Sequence, residues 1–246
     1  MTYFQKLLLY CWMWVGLVSC VAENQAEQVI LQSIKAHGFD DLDQASLEFT
    51  FRNRGYTYWK KEGRFEYKRI QRDSLMNEIV DLLDNDGLTR YKNEAIEPLN
   101  AKDSAAYASS VNSVIYFALL PYFLKDPAVQ TSYLGIRKIG DKEYHKIKVG
   151  FEVEGGGKDF QDEFVYWFDT NTYLLDYLAY NYLTDGGGAR FRKVTQRIAV
   201  GSYLFNQYDN LKPVPASMEV EKFDVLYEAG KLQYLSAIVL EEIKIH

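Results

Sequence analysis

Histidine is the first residue type to test for chemistry, because its side chain titrates near neutral pH and binds metals. The 246-residue chain has three, His37, His145 and His246, and none stands at a spacing typical of metal ligands from another. The first ends a predicted helix, the second begins a predicted strand and the third ends the chain. We therefore expect a structural or solvent-facing role for His145, and we predict no metal site.

Acidic and glycine-rich stretches do not match known catalytic or ligand-binding motifs either. If Gly87 is aligned with the invariant glycine of a calcium loop, Leu82 falls at the first ligand position and Asn93 replaces the bidentate glutamate. Two glycine triplets, at 155–157 and 186–188, open no helix and predict hairpin turns. Adjacent carboxylates in the predicted strands point to opposite faces. The sequence therefore predicts a protein that is not an enzyme and that needs no cofactor.

The N-terminus carries the most specific motif of the chain. Lys6 precedes a short apolar run, Leu7–Leu17, which is too short to span a bilayer and is typical of a signal-peptide core. The residues Leu17-Val18-Ser19-Cys20 resemble the lipobox of bacterial lipoproteins, in which the chain is cut before a lipidated cysteine. We predict a signal peptide over 1–19 and a lipid at Cys20. The alternative is that Cys20 is an ordinary buried cysteine.

This prediction accounts for both cysteines and places the protein at a membrane. Cys11 would leave with the signal peptide, so no thiol remains for a disulfide, a zinc site or a nucleophile. The lipobox resemblance implies two or three acyl chains, such as palmitate, on Cys20, which would anchor the domain. Val21 stands where some bacteria use aspartate for inner-membrane retention, so we expect an outer membrane lipoprotein, periplasmic or surface-exposed. A net charge of -6 without a basic cluster argues against nucleic acid as a partner.

The stretch Tyr144–Tyr182 predicts three consecutive antiparallel strands. Its first strand alternates charged residues with an apolar set, which predicts one face in a core and the other in water; the apolar set is Ile147, Val149, Phe151 and Val153. Aromatic residues alternate along the return strand, which ends at a turn over Asp169–Thr172. An amphipathic helix ending at Gly38 and a meander of short strands precede this stretch. We predict a loop over 201–217 and a single last strand, Leu235–Ile245.

An apolar helical segment interrupts the strand pattern. Asp103–Ala106 could cap a helix, and the residues up to Leu124 are mostly apolar, with Pro121 as a kink or the start of a second short helix. Because the segment is apolar all round from Tyr116 to Phe123, it must be covered by other parts of the protein. It is either a fixed core helix or a mobile lid, and the sequence leaves both open.

The order of lipobox, helix, meander, helical insertion and further meander carries a resemblance. Its local pattern is Gly140-x-x-x-Tyr144-x-x-Ile147-x-Val149, followed by Tyr166-x-Phe168-Asp169-x-x-Thr172-x-Leu174-Leu175. This resembles the superfamily of LolA, LolB and LppX, and more closely a group of uncharacterised bacterial lipoproteins of about this size. The resemblance implies a mainly β fold, a single curved antiparallel half-barrel with an N-terminal helix and an inserted helical lid. The expected domain covers 20–246.

The implied half-barrel has an apolar cavity on its concave side, and we predict a lipid or another hydrophobic ligand there. The predicted lining combines strand and insertion residues: Phe49, Phe51, Ile147, Val149, Phe151, Phe164, Tyr166, Phe168, Ile115 and Phe117. The alternative is a non-catalytic structural or interaction module of the cell envelope with a closed core. Cavity volume discriminates between them, because small-molecule pockets measure about 300 to 1,000 Å³. The expected protein is a monomer.

Overall fold

The computed structural model describes residues 25–152, 162–183 and 186–246. These residues form two antiparallel sheets of seven strands each, together with a few helices. The predicted mainly β class, with open antiparallel sheets, an N-terminal helix and a helical insertion, is confirmed. Cys20, the predicted signal peptide, Val153 and the glycine triplet at 155–157 lie outside the described residues.

Helix α1 occupies 25–36 and ends close to Gly38, as predicted. Gly38 has a φ of 71°, and its N–H donates to the Lys35 carbonyl at 2.9 Å, which closes the last turn. A Cβ at this position would lie 2.0 Å from the carbonyl oxygen of Ser202. Both the left-handed backbone and this close approach therefore require glycine.

The first sheet is built mostly from hairpins between consecutive strands. It contains β1 (Ser46–Phe51), β2 (Arg54–Lys61), β3 (Arg64–Arg72), β4 (Glu78–Asp84), β5 (Gly87–Lys92) and β6 (Ala95–Ile96), and also the last strand of the chain, β14 (Glu241–Ile245). The strand order is β14-β1-β2-β3-β4-β5-β6. The predicted meander of short strands is therefore present, and the C-terminal strand returns to pair with β1.

The second sheet follows the chain strand by strand. It contains β7 (Val129–Ile139), β8 (Lys142–Phe151), β9 (Phe164–Asp169), β10 (Leu175–Tyr182), β11 (Gly188–Val200), β12 (Tyr203–Pro213) and β13 (Leu232–Ile238), in the order β13-β12-β11-β10-β9-β8-β7. The turn after β9 lies where it was predicted, because the Asp169 carboxylate accepts the N–H groups of Asn171 and Thr172.

Two predictions about the C-terminal part were wrong. Most of the stretch predicted as a loop over 201–217 is strand β12, which ends at Pro213 and is followed by Pro215. The predicted last strand is divided into β13 and β14, which belong to different sheets. A short helix, α3 (Phe223–Glu228), and a 3-10 turn before it, Val220–Lys222, lie between β12 and β13.

The helical insertion begins earlier than its apolar run. Helix α2 (Ala101–Ala118) starts where the Asn100 side chain accepts the Asp103 N–H at 2.9 Å, so the cap is three residues upstream of the one predicted. A second short helical turn, Tyr122–Lys125, follows Pro121, as the sequence indicated. The segment from Ala118 to Leu124 is buried throughout, which explains why it is apolar on every side. Whether α2 is a lid or a fixed core helix stays a prediction.

The chain forms two compact units, each assembled from separate stretches of sequence. Among the described residues, one unit consists of those in the ranges 25–33, 125–192 and 211–233, and we call it the carboxyl-sheet unit because β7–β10 lie in it. The other consists of Ile34–Leu124, Lys193–Asn210 and Tyr234–His246, and we call it the amino-sheet unit because it contains the first sheet. The single domain expected over 20–246 stays a prediction.

Candidate functional site

An aromatic ladder crosses one face of β8, β9 and β10 in the carboxyl-sheet unit. Alternation along β9 directs Phe164, Tyr166 and Phe168 to the same face, and their neighbouring rings are 6.2 Å apart. Phe151 on β8 meets the Phe164 ring edge-on at 5.6 Å, and Tyr180 on β10 stacks on it at 5.6 Å. The five rings form a continuous apolar surface, which we call the aromatic ladder.

Exposure increases from one end of the aromatic ladder to the other. Tyr166 and Phe168 are fully buried, Phe164 is 7% exposed, and both Phe151 and Tyr180 are only half-buried. Ile147 and Val149 lie opposite Tyr166 and Phe164 on β8, and they are fully buried on the same face. The half-buried end is therefore the part of the ladder that an apolar molecule can reach from solvent.

Two guanidinium groups stand at the half-buried end of the ladder. Arg192 on β11 lies 5.3 Å from the centre of the Tyr180 ring and donates to its hydroxyl at 3.1 Å. Arg190, two residues earlier, lies 5.1 Å from the centre of the Tyr182 ring. Positive charge on aromatic faces is favourable in itself. The Arg192 side chain is buried by these contacts, whereas Arg190 is only half-buried.

The ten residues predicted to line a cavity are divided between the two units. Six lie together on the face of the aromatic ladder: Ile147, Val149, Phe151, Phe164, Tyr166 and Phe168. The other four belong to the amino-sheet unit. Phe49 on β1 stacks on Tyr56 at 5.4 Å, Ile115 on α2 is fully buried, and Phe51 and Phe117 are half-buried. A role for any of them in ligand binding is a proposal.

The opposite face of β8 and β9 is covered at Lys146, which corrects the expectation that this residue meets water, whereas Glu152 on the same face is exposed as expected. Lys146, predicted to be solvated, is 4% exposed, and its ammonium group bonds the Asp224 carboxylate at 2.8 Å and the Glu221 carbonyl. Asp224 also lies 3.4 Å from the Trp167 indole nitrogen. The segment that contains α3 covers this face, where Val220 and Phe223 join the core around Trp167. Sequence alternation could not reveal this cover, because it comes from about 75 residues further along the chain.

A charged groove of about 570 Å³ borders this ion pair. Leu134 and Arg137 on β7, Lys146 on β8 and Glu163 line it, together with residues of the stretch 219–225. Its volume is typical of a small-molecule site, but none of the ten predicted residues lines it. Lys148 next to it bonds Glu163 at 2.6 Å and Glu221 at 2.8 Å, and these carboxylates raise the pKa of Lys148.

A buried ionic cluster joins α2 to β3, β4 and β5 in the amino-sheet unit. Asp81 is fully buried and accepts hydrogen bonds from Arg69 at 2.7 and 2.9 Å and from Arg90 at 2.6 and 3.1 Å. Arg69 also donates to the Ser110 hydroxyl at 2.7 Å, and Arg90 lies 3.7 Å from the centre of the Tyr107 ring. Burial acts to lower the pKa of Arg90, but the hydrogen bond to Asp81 outweighs it, and the pKa of Arg90 is raised. The first half of α2 is thus held to the sheet by polar contacts.

His145 lies on the face of β8 that carries the aromatic ladder, where two tyrosines contact its ring. Its Nδ1 is 2.8 Å from the Tyr133 hydroxyl, and its ring stacks on Tyr173 at 5.8 Å. Burial lowers the pKa of His145, so the neutral ring is favoured. The described residues include no group of three or more His, Cys, Asp or Glu side chains placed to hold a metal ion. No helix among them is long and apolar enough to cross a membrane.

Comparison with solved structures finds similar chains at very low sequence identity. A LolA superfamily protein from Nitrosomonas europaea is 7% identical with a TM-score of 0.49, and 89% of this chain and 92% of that chain are covered. A putative outer membrane lipoprotein-sorting protein domain from Vibrio parahaemolyticus is 8% identical with a TM-score of 0.47, with 90% and 93% covered. At these scores, no ligand and no site residue transfers to this chain.

The family comparison covers almost the whole chain. No curated protein matches this chain significantly. A sequence-family profile, described as a family of unknown function, matches residues 5–240. Since the match extends over far more than half of the sequence, the chain belongs to the DUF6503 family.

Proposed function

We propose that this chain is a non-catalytic binding module of the cell envelope that binds an acyl chain with an anionic head. The observation that carries the proposal is the aromatic ladder with its gradient of exposure. The acyl tail would lie along Phe151, Phe164 and Tyr180, whose rings are contiguous and partly open. The anionic head would meet the half-buried Arg190 at the same end, next to the buried Arg192.

Titration with a fluorescent fatty acid tests the tail site. We expect saturable binding to residues 21–246, and we expect Phe151→Ala to weaken it about tenfold, since the lost contact is worth about 1.5 kcal/mol. The matched control is Val225→Ala, because Val225 is an exposed apolar residue on α3, which covers the other face. No saturable binding, or an equal loss in both variants, would contradict the proposal.

The head site has a separate test that leaves the tail unchanged. We expect Arg190→Gln to weaken binding of a fatty acid several-fold but to leave binding of the corresponding fatty alcohol unaffected, since only the acid carries a charge. Arg137→Gln, an exposed arginine on β7, is the control. If Arg190→Gln affects acid and alcohol alike, the arginine stabilises the fold and does not bind the head.

A structural or interaction module is the second candidate, and the burial of the ladder's inner end favours it. Tyr166, Phe168, Ile147 and Val149 are all fully buried, as expected for a core that is already filled. In that case protein purified from its own membrane would carry no lipid in native mass spectrometry. Copurified acyl lipid, lost in the Phe151→Ala variant, would favour the binding module.

Anchoring at the outer membrane through Cys20 is the remaining part of the proposal. The lipobox supports it, and Cys20 would carry the lipid after cleavage behind residue 19. Mass spectrometry of the mature N-terminus should show a lipid-modified Cys20. A mature N-terminus at any other residue, or a Cys20→Ala protein that still fractionates with membranes, would refute the anchor without affecting the ligand proposal.

A further inference from the structure

Strand β7 is the terminal strand of the second sheet, and within the described parts of the chain only β8 pairs with it. Its second half carries the usual protection of an edge: a register shift between Tyr133 and Ile136, a φ of 88° at Gly135, and the charged residues that follow. Its first half, Val129–Tyr133, has no charge, no proline and no bulge. This first half is a regular, unprotected edge of five residues.

Hydrogen bonding fixes which residues of this edge face outwards. The Glu152 N–H donates to the Ala128 carbonyl at 2.9 Å, so the backbone of residue 128 points towards β8. Because hydrogen-bonding direction alternates along an antiparallel strand, residues 130 and 132 also point towards β8. The N–H and C=O groups of Thr131 and Tyr133, and the C=O of Val129, therefore point away from the sheet. The Val129 N–H already donates to the Asp126 carbonyl.

We propose that this edge pairs with the same edge of a second copy of the chain, antiparallel, around a two-fold axis at Thr131. In this register Thr131 faces Thr131 of the second copy, and Tyr133 faces Val129. The backbone N–H and C=O groups of these residues that point away from β8 are therefore placed to hydrogen-bond to the second copy. Four hydrogen bonds result, two between the threonines and one from each Tyr133 N–H to the opposite Val129 carbonyl.

Side chains in this register are complementary. On one face, Thr131 meets Thr131 and Tyr133 meets Val129, and threonine pairs and aromatic pairs with β-branched residues are both favourable across strands. On the other face, Gln130 meets Ser132, and both are neutral and exposed. A two-fold axis needs such a self-complementary surface. A symmetric pair of copies fits these five residues without opposing like charges.

The ends of the pairing limit its length. Pro127 has no N–H to donate on one side, and the register shift after Tyr133 interrupts the other side. Further extension would bring Arg137 opposite Lys125 of the second copy, which is unfavourable. A ladder of five residue pairs is smaller than a standard stable interface. We therefore expect a weak, reversible dimer, and the monomer expected from the sequence is its dilute form.

Cysteine crosslinking tests the register directly. Residues 21–246 contain no cysteine and retain every described residue. In the proposed register the two Thr131 Cα atoms are about 5.5 Å apart, within the range that a disulfide bridges. The two Gln130 Cα atoms are offset by two residues along the strand and lie about 8 Å apart. Under mild oxidation, Thr131→Cys should form a disulfide dimer at least about tenfold faster than Gln130→Cys.

This comparison distinguishes specific pairing from random collision, because Gln130 is the more exposed of the two residues. Equal rates, or a faster Gln130→Cys, would overturn the proposal. Sedimentation velocity at concentrations up to about 1 mM should show a dimer that Thr131→Pro abolishes and Thr131→Val retains. Proline is tolerated here because the Thr131 N–H points outwards. A monomer at every concentration would also overturn the proposal and leave the edge to another partner.

Discussion

Replacing Asp81 by asparagine, which exchanges a single oxygen for nitrogen, should strongly destabilise the amino-sheet unit. The carboxylate is fully buried and accepts four hydrogen bonds from two guanidinium groups. The side chains of Arg69 and Arg90 are only 5% and 11% exposed, so neither can turn to water without disrupting the sheet. Asparagine has nearly the same shape, but it removes the negative charge and replaces one acceptor oxygen by a donor.

The magnitude follows from the two arginines that the substitution leaves behind. Removal of one partner from a buried ion pair costs about 3 to 5 kcal/mol, because the remaining charge is desolvated without compensation. In the Asp81→Asn variant, the positive charges of Arg69 and Arg90 remain buried beside one neutral amide. We therefore expect a loss of about 4 kcal/mol, which at a urea slope of about 2 kcal/mol/M lowers the unfolding midpoint by about 2 M.

Tryptophan fluorescence can report on this unit separately. Residues 21–246 contain two tryptophans, Trp59 on β2 in the amino-sheet unit and Trp167 on β9 in the other unit. In a Trp167→Phe background, Trp59 follows the unit that contains Asp81. The control is Glu66→Gln on β3, whose partner Lys68 forms an exposed ion pair, and we expect a loss below about 1 kcal/mol. A similarly small loss for Asp81→Asn would refute the electrostatic reasoning.

Three further predictions follow from single contacts. Gly38→Ala should lower the free energy of unfolding in urea by at least about 2 kcal/mol. Gly63 also has a positive φ but no atom within 4 Å of the added Cβ, so Gly63→Ala should lower it by only about 1 kcal/mol. Equal losses would contradict the close approach at Gly38. Lys146→Met should cost about 3 to 5 kcal/mol because it leaves a buried carboxylate unpaired, while half-exposed Lys148→Met should cost about 1 kcal/mol or less. Burial lowers the pKa of His145, so the unfolded state binds the proton more readily, and stability should fall as pH drops below about 6.5. This pH dependence should be weaker in His145→Gln, and an unchanged pH profile would show that His145 does not cause it.

Local patterns were sufficient to predict most strands and the helical insertion. Alternation identified β8 and β9 and the residues that share a face, and glycine identified the end of α1 because the backbone there is left-handed. The start of α2 was misplaced because Asn100 caps it before the apolar residues begin. Strand β12 was missed because Pro213 and Pro215 were taken to mark a loop, although the strand extends as far as Pro213.

Non-local packing explains what sequence patterns could not reveal. A lysine between apolar residues normally indicates a solvated face, yet Lys146 is buried because Asp224 and the chain around α3 cover it. Asp81 on β4 likewise pairs with one arginine on each adjacent strand, Arg69 on β3 and Arg90 on β5. Only the strand register shows that these residues meet. Four of the five aromatic residues of the ladder were grouped on one face from the sequence, but Tyr180 was missed and the gradient of exposure could not be predicted.

That gradient determines where a ligand would gain binding energy. Apolar burial contributes about 25 cal/mol for each Å² removed from water, so a side chain that is already buried has nothing further to gain. Tyr166 and Phe168 are in this position, whereas Phe151 and Tyr180 still have accessible surface. In the proposed site, an acyl chain would therefore bind first at the end near Arg190, where a half-buried charge and open apolar surface coincide. Extension towards Phe168 requires other side chains to leave, so affinity should stop rising with acyl length once the open end is covered.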